Sequence, residues 1–207
     1  MLLKNRLRLY AIIDKKLIGG RSELEVASKL IKGGATAIQL RDKYSSTRWL
    51  IKVGLELRKL TKKKKVTFII NDRLDIALAI NADGVHLGQE DIPLKFARKL
   101  AAKKIIGIST HSLVEAKKAE KEGADYLALG PIFRTSSKLT GLPIGTKMIR
   151  RIKESVRIPL VAIGGINITN IESVMAKGPE GVALASGLLK SRDIKKTTLK
   201  IAKLLNR

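Results

Sequence analysis

Gln39, Arg41 and Lys43 stand at alternate positions of the segment QLRDK. Side chains two apart in extended backbone share a face, so one amide and two cations would converge on a common ligand. The trio suits a phosphate-bearing heterocycle, with Arg supplying a planar fork and Lys a point charge for diphosphate. The same two cations would equally serve as ion-pair partners of Asp42 and of acidic residues at neighbouring strand ends. Asp72 in INDR and Asp91 in GQED each follow an apolar run and open a helical pattern. Each has the place of a helix N-cap. On neighbouring strands of one rim they would instead form the carboxylate pair by which magnesium is held against a diphosphate. Glu90 is then left behind that pair or facing solvent.

Other polar residues gather at the same kind of place. Asn71 precedes Asp72, and Ser109 closes the run IIGIS. The segment from Pro131 to Ile144, PIFRTSSKLTGLPI, is long for a strand-to-helix connection, and loops of that length are commonly lids. Thr135, Ser136, Ser137 and Lys138 would close over a phosphate there, or else decorate a surface loop. Gly165 in AIGGIN, with Ala185 and Ser186 in ALASG, would bring backbone N–H groups close to an anion; the glycines would also serve a simple turn. His86 and His111 are the only histidines, and neither sits in a hydrolase motif, so neither is assigned a catalytic role.

These residues need elements to hold them, and the pattern is regular. Eight short aliphatic runs begin at Leu7, Ala35, Val66, Asp83, Ile105, Asp125, Ile158 and Glu180. Between them lie amphipathic stretches such as Ser22 to Gly33, Thr47 to Leu60, Ser112 to Gly123 and Thr169 to Gly178, with apolar residues recurring at three and four. Three carry a hydroxyl followed three residues later by Glu, the capping-box pattern: Ser22/Glu25, Ser112/Glu115 and Thr169/Glu172. Four segments echo one another as helix end, turn and strand: GGATAIQL, NADGVHL, EGADYLAL and GPEGVAL. Alternating strands and helices make a parallel sheet, and eight units close a (β/α)₈ TIM barrel of the α/β class. An open, doubly wound sheet is the alternative, but no G-x-G-x-x-G follows the first strand. In a barrel the strand ends form the site, and the candidate site residues named above lie at them; His86 alternates with Val85 and Leu87 inside a strand, so its side is undecided.

Composition agrees with one folded domain over 1–207: 44% of the 207 residues are hydrophobic, and no linker divides them. The net charge of +24 first suggests nucleic acid. The excess is spread over helical faces, however, and only 3% of residues are aromatic, leaving few platforms for bases. No nucleic-acid partner is expected; a field of this sign would concentrate small anionic substrates. The absence of Cys excludes disulfides and thiolate chemistry, so any metal should be oxygen-liganded. No apolar run approaches the roughly 20 residues that cross a bilayer, and MLLKNRLRLY lacks a secretory pattern, so a cytoplasmic protein is expected.

Taken together, QLRDK, IINDR, GVHLGQED, GIST, GPIFRTSSK, AIGGI and ALASG resemble the thiamine phosphate synthase family, in the family's order and over nearly the whole chain. The resemblance implies a (β/α)₈ barrel that joins hydroxymethylpyrimidine diphosphate to hydroxyethylthiazole phosphate and releases diphosphate, with Mg2+. It implies that Asp72 and Asp91 ligate the metal, and that Arg41, Lys43, Asn71 and Lys138 hold the diphosphate. Gln39 and Ser109 would address the pyrimidine. Thr135, Ser136, Ser137, Gly165, Ala185 and Ser186 would take the thiazole phosphate. Arg41, Lys43, Ser109 and Lys138 would form the catalytic set. Two positions depart from the family pattern: Arg134 stands where Pro is common, and Ser137 where a second Thr is common. A paralogue, thiazole tautomerase, shares the barrel but typically lacks the metal carboxylates, and a basic RNA-binding protein is the alternative from a different class.

Overall fold

A computed structural model describes residues 2–135 and 142–206. Its strands are β1 (Leu9–Asp14), β2 (Ala37–Arg41), β3 (Thr67–Asn71), β4 (Gly84–Leu87), β5 (Ile105–Thr110), β6 (Tyr126–Leu129), β7 (Leu160–Ile163) and β8 (Gly181–Leu184). Each falls within one of the eight aliphatic runs. They pair in parallel in chain order, and β8 returns to β1 through Tyr10 opposite Ala183, which closes the barrel and excludes the open sheet. The helices are α1 (Leu3–Arg6), α2 (Glu23–Lys32), α3 (Thr47–Lys64), α4 (Leu74–Ala79), α5 (Leu94–Leu100), α6 (Leu113–Lys121), α7 (Lys147–Lys153), α8 (Ile171–Met175), α9 (Ser186–Leu189) and α10 (Ile194–Leu205).

Strands buried on both faces read as continuous apolar runs, and β1 is buried at all six positions. Its outward residues, Leu9, Ala11 and Ile13, join the large core between barrel and helices. The inward ones, Tyr10 and Ile12, join a smaller core inside the barrel with Ala37, Ile69, Tyr126, Val161 and Ala183. The next inward position of β1 is Asp14, at the C-terminal rim. Period two thus carries one strand from packing to chemistry in three steps.

Local signals explain several helix boundaries. Ser22 and Ser112 accept from the backbone N–H of Glu25 and Glu115, at 3.5 and 3.2 Å, as their capping patterns predict. The third pattern is not realised. Asn170, not Thr169, precedes α8; Asn170 Oδ1 accepts from Asn167 N–H at 2.8 Å, and the Thr169 hydroxyl donates to Asn167 Oδ1 at 2.6 Å. Two asparagine turns satisfy those backbone groups first. α3 runs four residues beyond Leu60, through Lys62, Lys63 and Lys64. Lysines are good helix formers and favour the negative end of the helix dipole.

The four echoed segments meet at the N-terminal rim. Asp83 accepts from Phe68 N–H on β3 and from Arg58 of α3, both at 2.9 Å. Asp125 accepts from Ile106 N–H on β5 at 2.7 Å and from Arg98 of α5 at 2.6 Å. Glu180 accepts from Leu160 N–H on β7 at 2.7 Å and pairs with Lys153 of α7. The Thr36 hydroxyl takes the same place before β2, accepting from Leu9 N–H at 3.0 Å. Each even strand therefore begins with a side chain that satisfies the odd strand before it.

Candidate active site at the C-terminal rim

The opposite rim opens into a cavity of about 480 Å³. Gln39, Arg41, Lys43, Asn71, Asp72, Asp91, Ser109, Thr135, Gly165, Ala185 and Ser186 all line it, so the barrel brings together every expected site residue that it describes. Ser136, Ser137 and Lys138 lie outside the described residues. Arg134 is exposed, beside the cavity rather than in its lining.

The carboxylates occupy positions that caps would not. α4 begins after Arg73 and α5 after Pro93, so neither Asp72 nor Asp91 is an N-cap. Asp72 has a left-handed backbone, with φ of 60°, and its N–H donates to His86 O at 2.8 Å. Such a backbone is uncommon outside glycine, though Asp and Asn tolerate it best, and here it turns the side chain to the rim. Asp91 Oδ2 accepts from Gly88 N–H at 2.6 Å. Burial pushes the Asp91 pKa up, the Gly88 N–H pulls it down, and the neighbouring Asp72 carboxyl pushes it up again; the net direction is upward. Two carboxyl groups facing each other, with Lys43 Nζ 3.0 Å from Asp72 Oδ2, form a site that gains from an added cation.

Magnesium fits this donor set. It prefers oxygen ligands in an octahedron and usually takes one or two protein carboxylates, completing its shell with water and phosphate oxygens. Among the described residues no cluster of three or more His, Cys, Asp or Glu side chains could hold a metal unaided. A cation placed between Asp72 and Asp91 would complete its shell with water or with oxygens of a ligand.

Arg41 pairs with Asp14, directly opposite in the β1–β2 register. Arg41 and Lys43 thus line the cavity and each is held by an acidic residue at a strand end, Asp14 and Asp72 rather than Asp42. Asp14 is buried, also accepts from Lys16 N–H at 3.0 Å, and was not singled out in the sequence. Its position two beyond Ile12 on an inward-facing series was the available signal. His86, left undecided, points inward and lines the cavity; His111 lines it too, with Nδ1 3.0 Å from Glu115 Oε2.

On the far side of the cavity, Gly164 and Gly165 have φ of 99° and 66°. A Cβ on Gly164 would lie 2.6 Å from Pro131 Cα, and one on Gly165 would lie 2.5 Å from Arg134 O. The glycines therefore let the β6 loop lie against β7, where Phe133 N–H donates to Gly164 O at 3.0 Å. That contact seats the beginning of the long loop, including Thr135, over the cavity. α9 starts at Ser186 immediately after β8, and the first N–H groups of a helix have no intrahelical acceptor, leaving donors beside Ala185 and Ser186.

Known proteins resemble this chain in sequence and fold. The protein is 44% identical over 205 residues to a thiamine-phosphate synthase of Pyrococcus furiosus, covering 99% of this chain and 98% of the relative. It is 48% identical over 188 residues to one from Chloroflexus aurantiacus, covering 90% and 87%. The solved structure of a thiamine phosphate pyrophosphorylase from Pyrococcus furiosus superposes with a TM-score of 0.93 at 43% identity, over 99% of this chain and 98% of that one. A 3-hexulose-6-phosphate synthase, at 16% identity and a TM-score of 0.73, shares the fold alone. Residues 9–188 match the family described as thiamine monophosphate synthase. The carboxylate pair, the cations that face it and this run of relatives lead to one conclusion: the chain belongs to the thiamine monophosphate synthase family.

Proposed function

We propose that this cavity joins hydroxymethylpyrimidine diphosphate to hydroxyethylthiazole phosphate, giving thiamine phosphate and diphosphate, and that it does so with Mg2+. The observation that carries the reading is the facing pair Asp72 and Asp91, with Lys43 and Arg41 on the same rim. A tautomerase of the thiazole alone has no use for that pair.

In the proposed reaction the bond between the pyrimidine methylene and the diphosphate oxygen breaks, and its electron pair leaves with diphosphate. The pyrimidine ring delocalises the resulting cation, and the thiazole nitrogen supplies the pair that forms the new C–N bond. Arg41, Lys43, Asn71 and Lys138 hold the leaving group as negative charge accumulates on it. Because Asp14 and Asp72 already orient the first two, little rearrangement is needed when the charge develops. Asp72 and Asp91 would hold magnesium, which when bound would supply Lewis-acid stabilisation of the same charge. Gln39 and Ser109 orient the pyrimidine, while Thr135, Ser136 and Ser137 with Gly165, Ala185 and Ser186 take the thiazole phosphate.

The same reading makes the protein a single domain over 1–207, cytoplasmic, with small-molecule substrates and no nucleic-acid partner. No helix among the described residues is long and apolar enough to cross a membrane. Mass-spectrometric detection of thiamine phosphate, after incubation with both substrates and either magnesium or EDTA, tests the function. Product only with magnesium is expected. Folded protein that makes none under either condition sinks the reading and turns attention to the tautomerase reaction.

A further inference from the structure

A string of hydrogen bonds crosses the barrel interior beneath the cavity. Gln39 Nε2 donates to the Tyr10 hydroxyl at 2.8 Å, and the Tyr10 and Tyr126 hydroxyls lie 3.0 Å apart. Tyr126 Oη is 3.0 Å from His86 Nδ1, and His86 Nε2 is 2.9 Å from Ser109 Oγ. Tyr126 is completely buried and Tyr10 is 1% exposed. Tyr126 is also outside the cavity lining, so its hydroxyl serves the two groups on either side of it rather than a ligand. Its ring has no freedom to turn away: it stacks on His86 with centroids 5.6 Å apart, and a Cβ on Gly107 would lie 2.0 Å from its Cζ.

Proton counting orders the string. Each phenol has one proton to give. Because Gln39 presents its amide nitrogen, the Tyr10 oxygen accepts and its proton goes to Tyr126. Tyr126 then donates to His86 Nδ1, which leaves the ring proton on Nε2, donated to Ser109 Oγ. Burial raises the pKa of both phenols, so neither proton is lost near neutrality. At the two ends the cavity receives an acceptor, Gln39 Oε1, and a donor, the Ser109 hydroxyl.

We infer that Tyr10, Tyr126 and His86 are positioning residues that hold Gln39 as acceptor and Ser109 as donor, and so select an aminopyrimidine over its oxo counterpart. An aminopyrimidine offers an amine donor beside a ring-nitrogen acceptor; the oxo compound offers a carbonyl acceptor beside a ring N–H donor. Matching the oxo carbonyl at Gln39 would require turning its amide and with it reversing every bond in the string; the Ser109 oxygen keeps a second lone pair and can turn its hydroxyl alone, so the discrimination is set at the Gln39 end. A buried polar group left unpaired by the wrong edge is what makes such a site discriminate. The inference rests on the reading above, in which Gln39 and Ser109 meet the pyrimidine.

Two measurements test it. One is the ratio of kcat/KM for the amino diphosphate to that for its oxo analogue, in the parent and in Tyr126→Phe, which keeps the ring and removes the central hydroxyl. The parent should prefer the amino compound by at least about 100-fold, and the variant should lose at least tenfold of that preference. A general loss of packing lowers both rates together and leaves the ratio alone. The other is NMR of the His86 ring nitrogens in the parent protein, where a proton on Nε2 only is expected. An unchanged ratio in the variant, or a proton on Nδ1, overturns the inference. If Tyr126→Phe does not fold, Tyr10→Phe breaks the same string one bond away and is read the same way. Failure of the parent to make product from either pyrimidine refutes the functional reading instead, and the NMR result then decides the proton order by itself.

Discussion

Asp72 and Asp91 at the C-terminal rim of the barrel are treated in the opposite way to the carboxylates of the N-terminal rim. At the N-terminal rim Asp83, Asp125 and Glu180 each receive one backbone N–H from the neighbouring odd strand and one basic side chain from the helix that leads into that strand, so charge and hydrogen-bonding capacity are matched. At the C-terminal rim Asp72 and Asp91 face each other with Lys43 beside them, and Asp91 is pushed toward its neutral form by burial and by its neighbour. Both rims use the same residue types at strand ends. The first arrangement ties strand to strand and helix to strand; the second keeps a local excess of negative charge that folding does not relieve. A barrel can carry such a site because its stability is supplied elsewhere.

Asp91→Asn is the sharpest way to break the comparison, since it removes one charge while keeping an oxygen for Gly88 N–H. Turnover should fall by roughly 100-fold to 10,000-fold, the range for losing a main electrostatic contact to a leaving group. The melting temperature should hold or rise, because repulsion with Asp72 is removed. Near-normal turnover would remove Asp91 from the proposed metal site.

At the other rim the expected loss is stability rather than rate. Asp83→Ala strands the Phe68 N–H and the Arg58 guanidinium and should cost about 2–3 kcal/mol in denaturant unfolding, with kcat in the folded protein unchanged within about twofold. A large drop in kcat at full folding would mean that the two rims are coupled. Asp125→Asn is milder, because the amide oxygen still accepts from Ile106 N–H and only the charge facing Arg98 is lost. That carboxylate side chain is 36% exposed, so solvent screening limits the effect to about 0.5–1 kcal/mol, smaller still in high salt. A loss as large as that of Asp83→Ala would show that charge, not the backbone bond, holds this rim.

The smallest effect belongs to neither rim. The Lys29 ammonium, bonded to Glu25 at 2.6 Å on the exposed face of α2, lowers the Glu25 pKa below its ordinary 4.5. A depressed carboxyl pKa contributes stability above the unfolded-state value and loses it as pH falls through the folded one. Glu25→Gln should therefore change the melting temperature barely at neutral pH and not at all well below pH 4.5. A marked effect in acid would show that Glu25 has another partner.

Most of the fold was legible because it rests on near-neighbour patterns. The eight aliphatic runs, the amphipathic segments and two of three capping patterns depend on residues a few positions apart. The failed pattern at Thr169 is also local: Asn167 and Asn170 offered a competing turn. The cavity residues were legible as polar residues and glycines closing apolar strands, although residue type alone did not separate lining a rim from capping a helix or pairing with a neighbouring charge. Asp14 was overlooked because an aspartate ending the first strand looks no different from a solvated one until β2 sets Arg41 opposite it.

By itself the sequence determined the alternation of strands and helices, the number of strands and the placing of polar residues at their C-terminal ends, all through periodicities that any local stretch of backbone must obey. Only the tertiary structure decided that Asp72 and Asp91 face each other instead of capping helices, and that Tyr10 meets Tyr126 across 116 residues of chain. The physical reason is closure. Side-chain direction follows from the backbone two residues away, but which side chains converge depends on the register and curvature of eight strands returning on themselves, and that is a property of the whole ring.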